Sequence, residues 1–285
     1  MRLGLSPFAS RRPAVEALAG LAVEGGIGTL WLGDGLLHNP DFPTWSGAME
    51  PCTELAWLAG RFPSARLGLS AAVLPLRDVT WLAKQAMTLD HVSGGRFVLA
   101  VAPGFWADES AARGFDHAER GVRFDDALEG LRAAFAGRTH DGPYVHVPAA
   151  LSPGVLTSGG PELWLAGARA TMERALDRGL PFQASRASPD DLAPLARRWR
   201  DRGGGLLGVR IRVGLDRVTS RAGGVDWQAL TGPVDFLVAE LARYADLGVA
   251  DLSLIPGQDD DSSRATVEAL VGDVVPALRN QGLVE

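Results

Sequence analysis

The sequence predicts an α/β fold in which a parallel β-sheet closes into a (β/α)8 barrel, the TIM barrel. Apolar runs and amphipathic helical runs alternate along the whole chain of 285 residues. The apolar runs are continuous rather than alternating with polar residues, which is typical of parallel strands covered by helices. The length and a hydrophobic content of 46% match a single barrel, so we expect one domain over residues 1–285. An open, doubly wound sheet shares this alternation, and the pattern alone leaves that alternative open.

The clearest unit is residues 66–104, which join a strand, a helix and a second strand with almost no linker. Residues 67–74 are nearly all apolar or small, which predicts a buried strand. Gly94 and Gly95 end the helix, because glycine adopts the left-handed conformation without a steric penalty. Residues 97–102 form the second strand, which a right-handed crossover places parallel to the first. The apolar stripe of the helix consists of Val79, Leu82, Ala83, Ala86 and Leu89.

Further strands and helices are predicted on both sides of this unit. The first helix follows Ser10 as its N-cap, with Pro13 in the first turn. The last helix begins at Asp259, where negative charge is favourable. Residues 138–161 are rich in glycine and proline and predict a loop with a short extended piece at 144–147. The other predicted strands are 3–6, 27–32, 163–166, 182–185, 206–213 and 251–255.

The charge and cysteine content exclude several classes of partner. With 28 basic and 34 acidic residues the net charge is −6, which gives no basic footprint for nucleic acid or an anionic membrane. The apolar runs are shorter than the ~20 residues of a membrane span, and the N-terminus enters a strand pattern rather than a signal peptide. We therefore expect a cytoplasmic protein. Cys52 is the only cysteine, so neither an intrachain disulfide nor a thiolate metal cluster is expected.

In a barrel the reactive groups lie at the carboxyl ends of the strands. The only lysine, Lys84, lies inside a predicted helix, which argues against Schiff-base chemistry. The five histidines are scattered and only His38 lies just beyond a strand, so no metal site is expected. Asp34 is the one clear carboxylate at a strand end, which is weak support for a glycosidase, and Asp108 and Glu109 lie further out on a predicted loop. The Gly-x-Ser-x-Gly elbow and the phosphate-binding loop are both absent from the sequence.

Strand ends poor in acids, bases and metal ligands suggest that an organic cofactor supplies the reactivity. Residues 67–75 read Leu-Gly-Leu-Ser-Ala-Ala-Val-Leu-Pro, and residues 93–97 read Ser-Gly-Gly-Arg-Phe. Together with Trp-Leu-Gly-Asp at 31–34, these motifs resemble the bacterial luciferase-like flavin monooxygenase family. The resemblance is strong over residues 27–136 and weak over 138–230. Further matches are Gly-Phe-Asp at 114–116, Arg-Gly-Val-Arg-Phe at 120–124 and Tyr-Ala-Asp-Leu-Gly-Val at 244–249.

The resemblance implies a barrel that carries reduced FMN at its carboxyl-terminal mouth, supplied by a separate flavin reductase. Some branches of the family use a deazaflavin coenzyme instead. The family has a non-prolyl cis peptide beneath the flavin ring, and the matching bond here joins Ser70 and Ala71. The resemblance also places Pro103, Gly104 and Phe105 beside the ring. The alternative reading is that the side chains of residues 70–72 are small only for packing.

The same resemblance places the flavin phosphate near the predicted strand 163–166 and its helix. Free backbone N–H groups at a helix start, a threonine hydroxyl and an arginine suit an anion. Thr171 is equally well explained as a plain cap residue, and Arg186, a further candidate phosphate ligand, as a surface charge. The matching residues in the turn are Gly167, Ala168, Arg169 and Thr171.

The candidate catalytic residues are Asp34, which would position the ring or substrate, and His38. Many family members place a histidine directly after this aspartate, where this chain has Gly35. His38 lies three residues further on and is a candidate substitute, with a surface role as the alternative. Pro103 replaces an arginine of the luciferases.

Three functions follow from the resemblance. The first is an FMN-dependent monooxygenase that oxidises a small organic substrate with reduced flavin and O2. The second is a deazaflavin-dependent hydride-transfer oxidoreductase, and the third is a non-catalytic flavin-binding relative, which Gly35 and Pro103 favour. Family analogy also implies a homodimer through the second and third helices. The aromatic residues expected at the mouth are Phe8, Phe42, Trp45, Phe105 and Trp106.

Overall fold

A ring of parallel strands forms the centre of the molecule in the computed structural model, which describes residues 1–7, 11–37, 49–185, 187–216, 218, 221–222, 225–226 and 229–285. The strand order is β9-β13-β1-β2-β3-β4-β7-β8, and β8 pairs back with β9. This pairing closes the ring and confirms the predicted barrel over the open sheet. A further short strand, β12, pairs with residues 212–214 of β9, beyond the residues that pair with β8.

The elements are numbered in chain order. The strands are β1 Arg2–Leu5, β2 Thr29–Leu32, β3 Arg66–Val73, β4 Phe97–Ala102, β5 His140–Asp141, β6 His146–Val147, β7 Glu162–Gly167, β8 Phe182–Ser185, β9 Leu207–Gly214, β10 Arg221–Ala222, β11 Val225–Asp226, β12 Ala229–Thr231 and β13 Asp251–Pro256. The helices are α1 Arg12–Glu24, α2 Pro51–Arg61, α3 Val79–Ser93, α4 Ala107–Ala112, α5 Arg120–Phe135, α6 Arg169–Arg178, α7 Pro189–Asp201, α8 Val234–Asp246, α9 Asp260–Ala269 and α10 Val275–Asn280.

The β3–α3–β4 unit has the predicted parallel arrangement. Leu67 of β3 pairs with Phe97 of β4, and the two strands run parallel. Asp78 caps α3 by accepting a hydrogen bond from the Trp81 N–H at 2.9 Å. Gly94 ends the helix with φ of 68°. The predicted apolar stripe of α3 is buried against the barrel, which confirms the periodicity.

Two local predictions need correction, and a third is extended by the structure. The N-cap of α1 is Arg11 rather than Ser10, which lies outside the described residues, because the helix starts where proline fits its first two positions. The extended piece predicted within residues 138–161 is present as β6, and the structure adds its antiparallel partner β5. Glu109, expected on a loop, lies in α4. At α9 the prediction is confirmed, since Asp259 and Ser262 form a capping box.

Two tryptophans fill the middle of the barrel. Trp31 of β2 and Trp164 of β7 are fully buried together with small residues of the neighbouring strands. A side chain on Gly68 would overlap the Trp31 ring, and a Cβ on Gly208 would lie 2.8 Å from Trp164 Cζ3. Glycine at these positions therefore makes room for the indoles, as close packing in a barrel interior requires.

An ion cluster closes the amino-terminal end of the barrel. Asp251 Oδ2 lies 3.0 Å from Arg66 Nη1 and 3.5 Å from Arg2 Nε. Arg66 also pairs with Glu162. Burial raises the pKa of Asp251, and the two arginines oppose this rise. The cluster and the tryptophans leave the opposite, carboxyl-terminal end for a binding cavity.

Each helix of the described residues is too short or too polar to cross a lipid bilayer.

Candidate active site

A cavity of about 310 Å³ opens at the carboxyl ends of the barrel strands. Its wall consists of apolar and small side chains interrupted by a few charged ones. This is the end of the barrel at which active sites occur. The predicted residues in the wall are Asp34, Ser70, Ala71, Pro103, Gly104, Phe105, Gly167, Ala168 and Thr171. The residues that the sequence did not indicate include Arg120, Ser185, Arg210, Arg212 and Ile255.

The Ser70–Ala71 peptide bond forms part of the cavity floor and is cis, as the resemblance implied. The Ser70 side chain is buried, and its hydroxyl donates a hydrogen bond to Gln183 Oε1 of β8. The backbone carbonyl oxygen of Ser70 accepts a hydrogen bond from Arg210 Nη1 of β9. Strand β3 is therefore held at this point by two strands on the other side of the ring.

Asp34 lies just beyond β2, and an arginine that the sequence did not indicate holds its carboxylate. Arg77 donates to it from Nε at 2.7 Å and from Nη2 at 2.6 Å. The Val73 N–H donates to Asp34 Oδ2 at 3.0 Å. Burial disfavours the charged guanidinium, but the hydrogen bonds and charge of Asp34 outweigh it and raise the pKa of Arg77. Asp34 thus fixes the end of β3, and its lone pairs are engaged by donors.

A second carboxylate anchors the segment that follows Asp34. Glu109 of α4 accepts a hydrogen bond from the Leu36 N–H at 2.6 Å. Its side chain is buried, and burial raises its pKa above the ordinary value. The signal in the sequence was a pair of acidic residues on the segment after β4, which is not specific enough to predict this contact.

The segment after β4 forms one side of the cavity. Gly104 has φ of 84°, and a Cβ there would lie 2.7 Å from Val73 Cγ1. Glycine thus keeps the slot between β3 and β4 narrow and open. Phe105 is 40% exposed and lies at the rim, whereas Trp106 is outside the cavity wall.

The end of β7 and the start of α6 form the opposite side. Ala168 is the N-cap of α6, and the Thr171 side chain is 3% exposed. Arg169 is exposed and lies outside the cavity wall. Arg120, the first residue of α5, lines the wall instead, and its Nη1 donates to the His117 carbonyl at 2.9 Å.

Strand β9 contributes two arginines to the wall, Arg210 and Arg212. Arg212 is 4% exposed and donates a hydrogen bond from Nη1 to the Gly257 carbonyl. Burial lowers the pKa of Arg212 to about 10. The available sequence signal was the alternation of Arg210 and Arg212 with Val209, Ile211 and Val213, since charge at every second position of a barrel strand places those side chains on one face.

Several predicted residues lie outside the described part of the chain. These are His38, Arg186, Phe8, Phe42 and Trp45. Among the described residues, clusters of three or more histidine, cysteine or carboxylate side chains suited to a metal ion are absent.

The sequence profile of the luciferase-like monooxygenase family matches residues 7–220. The chain belongs to this family. The match covers every barrel strand from β2 to β9 and therefore both sides of the cavity.

Curated relatives of this luciferase-like protein match it over part of their length. Protein y4vJ of Sinorhizobium fredii is 30% identical over 163 residues, which is 56% of this chain and 45% of that protein. The oxygenase component of the flavin-dependent trigonelline monooxygenase of Acinetobacter baylyi is 28% identical over 153 residues, 52% of this chain and 41% of that protein. The chain thus spans less than half the length of these two relatives.

Solved structures of the same fold match the luciferase-like chain over nearly its whole length. The monooxygenase RslO1 of Streptomyces bottropensis has a TM-score of 0.82 at 20% identity and covers 97% of this chain and 99% of its own. The oxygenating component of 3,6-diketocamphane monooxygenase of Pseudomonas putida, solved with FMN, has a TM-score of 0.74 at 15% identity, covering 97% and 98%. An F420-dependent secondary alcohol dehydrogenase, solved with an F420–acetone adduct, has a TM-score of 0.80 at 13% identity, covering 98% and 99%.

Proposed function

We propose that this protein is an FMN-dependent monooxygenase that oxidises a small organic substrate with reduced flavin and O2. The observation that carries the proposal is that the Ser70–Ala71 peptide bond and the turn from Gly167 to Thr171 line the same cavity. The family of the chain and the FMN complex of the structurally similar diketocamphane monooxygenase support it.

The residues present fit the two parts of FMN. A flat ring needs a narrow apolar slot, and Ala71, Ala102 and Pro103 line one beside Gly104, where a Cβ would intrude. A phosphate needs N–H donors, a hydroxyl and a cation. The start of α6 provides the N–H groups, Thr171 provides the hydroxyl and Arg120 provides the cation. We propose these residues as the cofactor site, with Arg120 in place of Arg169.

Reduced FMN, when bound, supplies the electrons that activate O2. The side chains around it bind and orient rather than transfer protons. The Asp34–Arg77 pair fixes the end of β3, and Ser70 with Gln183 fixes the floor. Phe105 covers the rim and reduces the access of water to the ring.

We propose two further features of the working enzyme. A separate flavin reductase supplies the reduced FMN, which fits the description of the trigonelline relative as an oxygenase component. The protein forms a homodimer in the cytoplasm through α2 and α3. Trp81 and Val92 on α3 are 64% and 54% exposed, and their spacing of three helical turns places them on one face.

Hydride transfer with a deazaflavin is the second candidate. The structural likeness to the F420-dependent alcohol dehydrogenase favours it, since both chains share the barrel over nearly their whole length. The same cavity wall would hold either ring system, so the two cofactors must be compared directly.

The test is to titrate the purified protein separately with FMN, reduced FMN and the deazaflavin F420, and to measure binding by the change in flavin fluorescence. We expect reduced FMN to bind most tightly and Thr171→Val to weaken binding about tenfold or more, because a hydrogen bond to a charged phosphate is lost. Thr88→Val on the outer helix α3 is the matched control and should bind as the wild type does.

Tightest binding of F420 would favour the second candidate. Failure of all three to bind below millimolar concentrations would refute the cofactor site. Binding without oxygen consumption in the presence of a reductase and candidate substrates would indicate a non-catalytic flavin-binding protein.

A further inference from the structure

The charges of the cavity wall are unevenly distributed. The described wall residues include three arginines, Arg120, Arg210 and Arg212, and one carboxylate, that of Asp34. Asp34 forms a two-pronged ion pair with Arg77, a residue outside the wall. Among the described wall residues guanidinium groups thus outnumber carboxylates three to one, although the whole chain has a net charge of −6.

The arginines occupy two separate parts of the wall. Arg120 begins α5, whose first turn lies against α6, since a Cβ on Gly121 would lie 3.1 Å from Arg174 Nη2. Arg120 thus belongs with the proposed phosphate site at the start of α6. Arg210 and Arg212 lie on β9, which β8 separates from β7 and α6.

The two β9 side chains also differ in depth. Arg210 reaches across the barrel to the Ser70 carbonyl in the floor. Arg212 lies two residues nearer the mouth, against Gly257, which follows β13. One strand thus presents two guanidinium groups, one above the other, on a side of the cavity away from the phosphate turn.

A buried guanidinium is costly to desolvate, and burial lowers the pKa of Arg212. An anion that enters the same apolar site forms strong charge-assisted hydrogen bonds with a guanidinium group there. A planar carboxylate or a sulfonate matches the donor fork of arginine. Ile255 of β13 is paired in register with Arg212 and adds an apolar side chain to this part of the wall, and Val73 and Ala102 are apolar wall residues of β3 and β4.

We propose that the substrate is a small organic anion, a carboxylate or sulfonate with an apolar body, and that Arg212 with Arg210 binds its charged group. This proposal rests on the proposed function, because it assigns the β9 side of the cavity to the substrate and the α6 side to the flavin. The apolar body then lies against Ile255 and Val73, and the reacting carbon faces the ring slot.

The test uses benzoate and benzamide, which have nearly the same shape and differ in charge. Each is titrated calorimetrically into the FMN-saturated protein and into the protein without FMN. We expect benzoate to bind at least tenfold more tightly than benzamide in both. Arg212→Gln should reduce this preference to less than threefold while leaving benzamide binding and FMN affinity unchanged, and Arg212→Lys should retain part of it.

Arg264→Gln is the control variant, since Arg264 is an exposed arginine of α9 that pairs with Glu268. It should behave as the wild type does. Equal affinity of the wild type for benzoate and benzamide would overturn the proposal without any variant. Competition between benzoate and FMN would also overturn it, because the β9 arginines would then serve the cofactor.

The outcomes separate this proposal from the proposed function. A protein that fails to bind flavin but prefers benzoate through Arg212 would support an organic-anion site and refute the FMN monooxygenase. A protein that binds FMN at the α6 turn without any preference for benzoate would retain the flavin function and refute the anion site. Inorganic phosphate is titrated in parallel, and displacement of benzoate by phosphate at equal concentration would refute selectivity for an organic anion.

Discussion

The role of Asp34 depends on hydrogen-bond partners that its position in the sequence does not indicate. By its place after β2 it is a candidate for positioning the ring or the substrate. In the structure its carboxylate holds Arg77 and the Val73 N–H. Through these donors Asp34 holds the end of β3 at the edge of the cavity.

Residue-scale packing is tightest where glycine meets tryptophan inside the barrel. Gly68→Ala would place a methyl group in the Trp31 ring, and both residues are enclosed by neighbouring strands. Overpacking of this kind destabilises a protein by about 1–3 kcal/mol or more. We expect a fall of that size in the free energy of unfolding, measured by urea denaturation.

The control for this change is Gly60→Ala on the exposed face of α2, where a Cβ meets nothing within 4 Å. That variant should be neutral or slightly stabilising, because alanine is the better helix former. If both alanine variants had the same stability, the close packing of Trp31 would not be what requires glycine.

At the scale of elements, α2 contains a buried carboxyl group that the proposed function does not use. Glu54 is 8% exposed, and burial raises its pKa to about 7. At a pH between the ordinary pKa of glutamate and about 7, Glu54 is therefore protonated in the native state and ionised in the unfolded chain. Stability is therefore lost as the pH rises from the ordinary pKa to about 7.

Glu54→Gln removes this titration. We expect the variant to gain stability relative to the wild type between pH 4.5 and pH 8, by up to about 3 kcal/mol, which is the equivalent of the pKa difference. Urea denaturation at the two pH values measures it. Glu24→Gln, at the exposed end of α1, is the control and should show no such trend. A constant difference between Glu54→Gln and the wild type at both pH values would contradict the prediction.

At the scale of the whole molecule, the ion cluster and the two tryptophans close one end of the barrel, and the cavity opens at the other. This polarity follows from the parallel direction of all the ring strands, since their carboxyl ends and the segments after them meet at one end. The asymmetry brings residues from eight different segments of the chain into one wall.

The proposed homodimer is a property of the same scale. Trp81→Glu on α3 should shift the molar mass measured by light scattering from two chains to one, because a charge would be buried at the interface. Val122→Glu, at a comparably exposed apolar position on α5, should leave the mass unchanged. A wild type with the mass of one chain at all concentrations would refute the dimer.

The sequence by itself determined the alternation of strands and helices, the β3–α3–β4 unit and the capping of α9, because these depend on local spacing and on individual caps and stops. It also indicated the turn from Gly167 to Thr171 and the floor at Ser70, through short motifs of contiguous residues. Only the tertiary structure closed the ring and placed Arg77 on Asp34 and Arg210 on Ser70. These partners lie 43 and 140 residues apart in the chain, and only the folded barrel brings side chains so distant in sequence into contact.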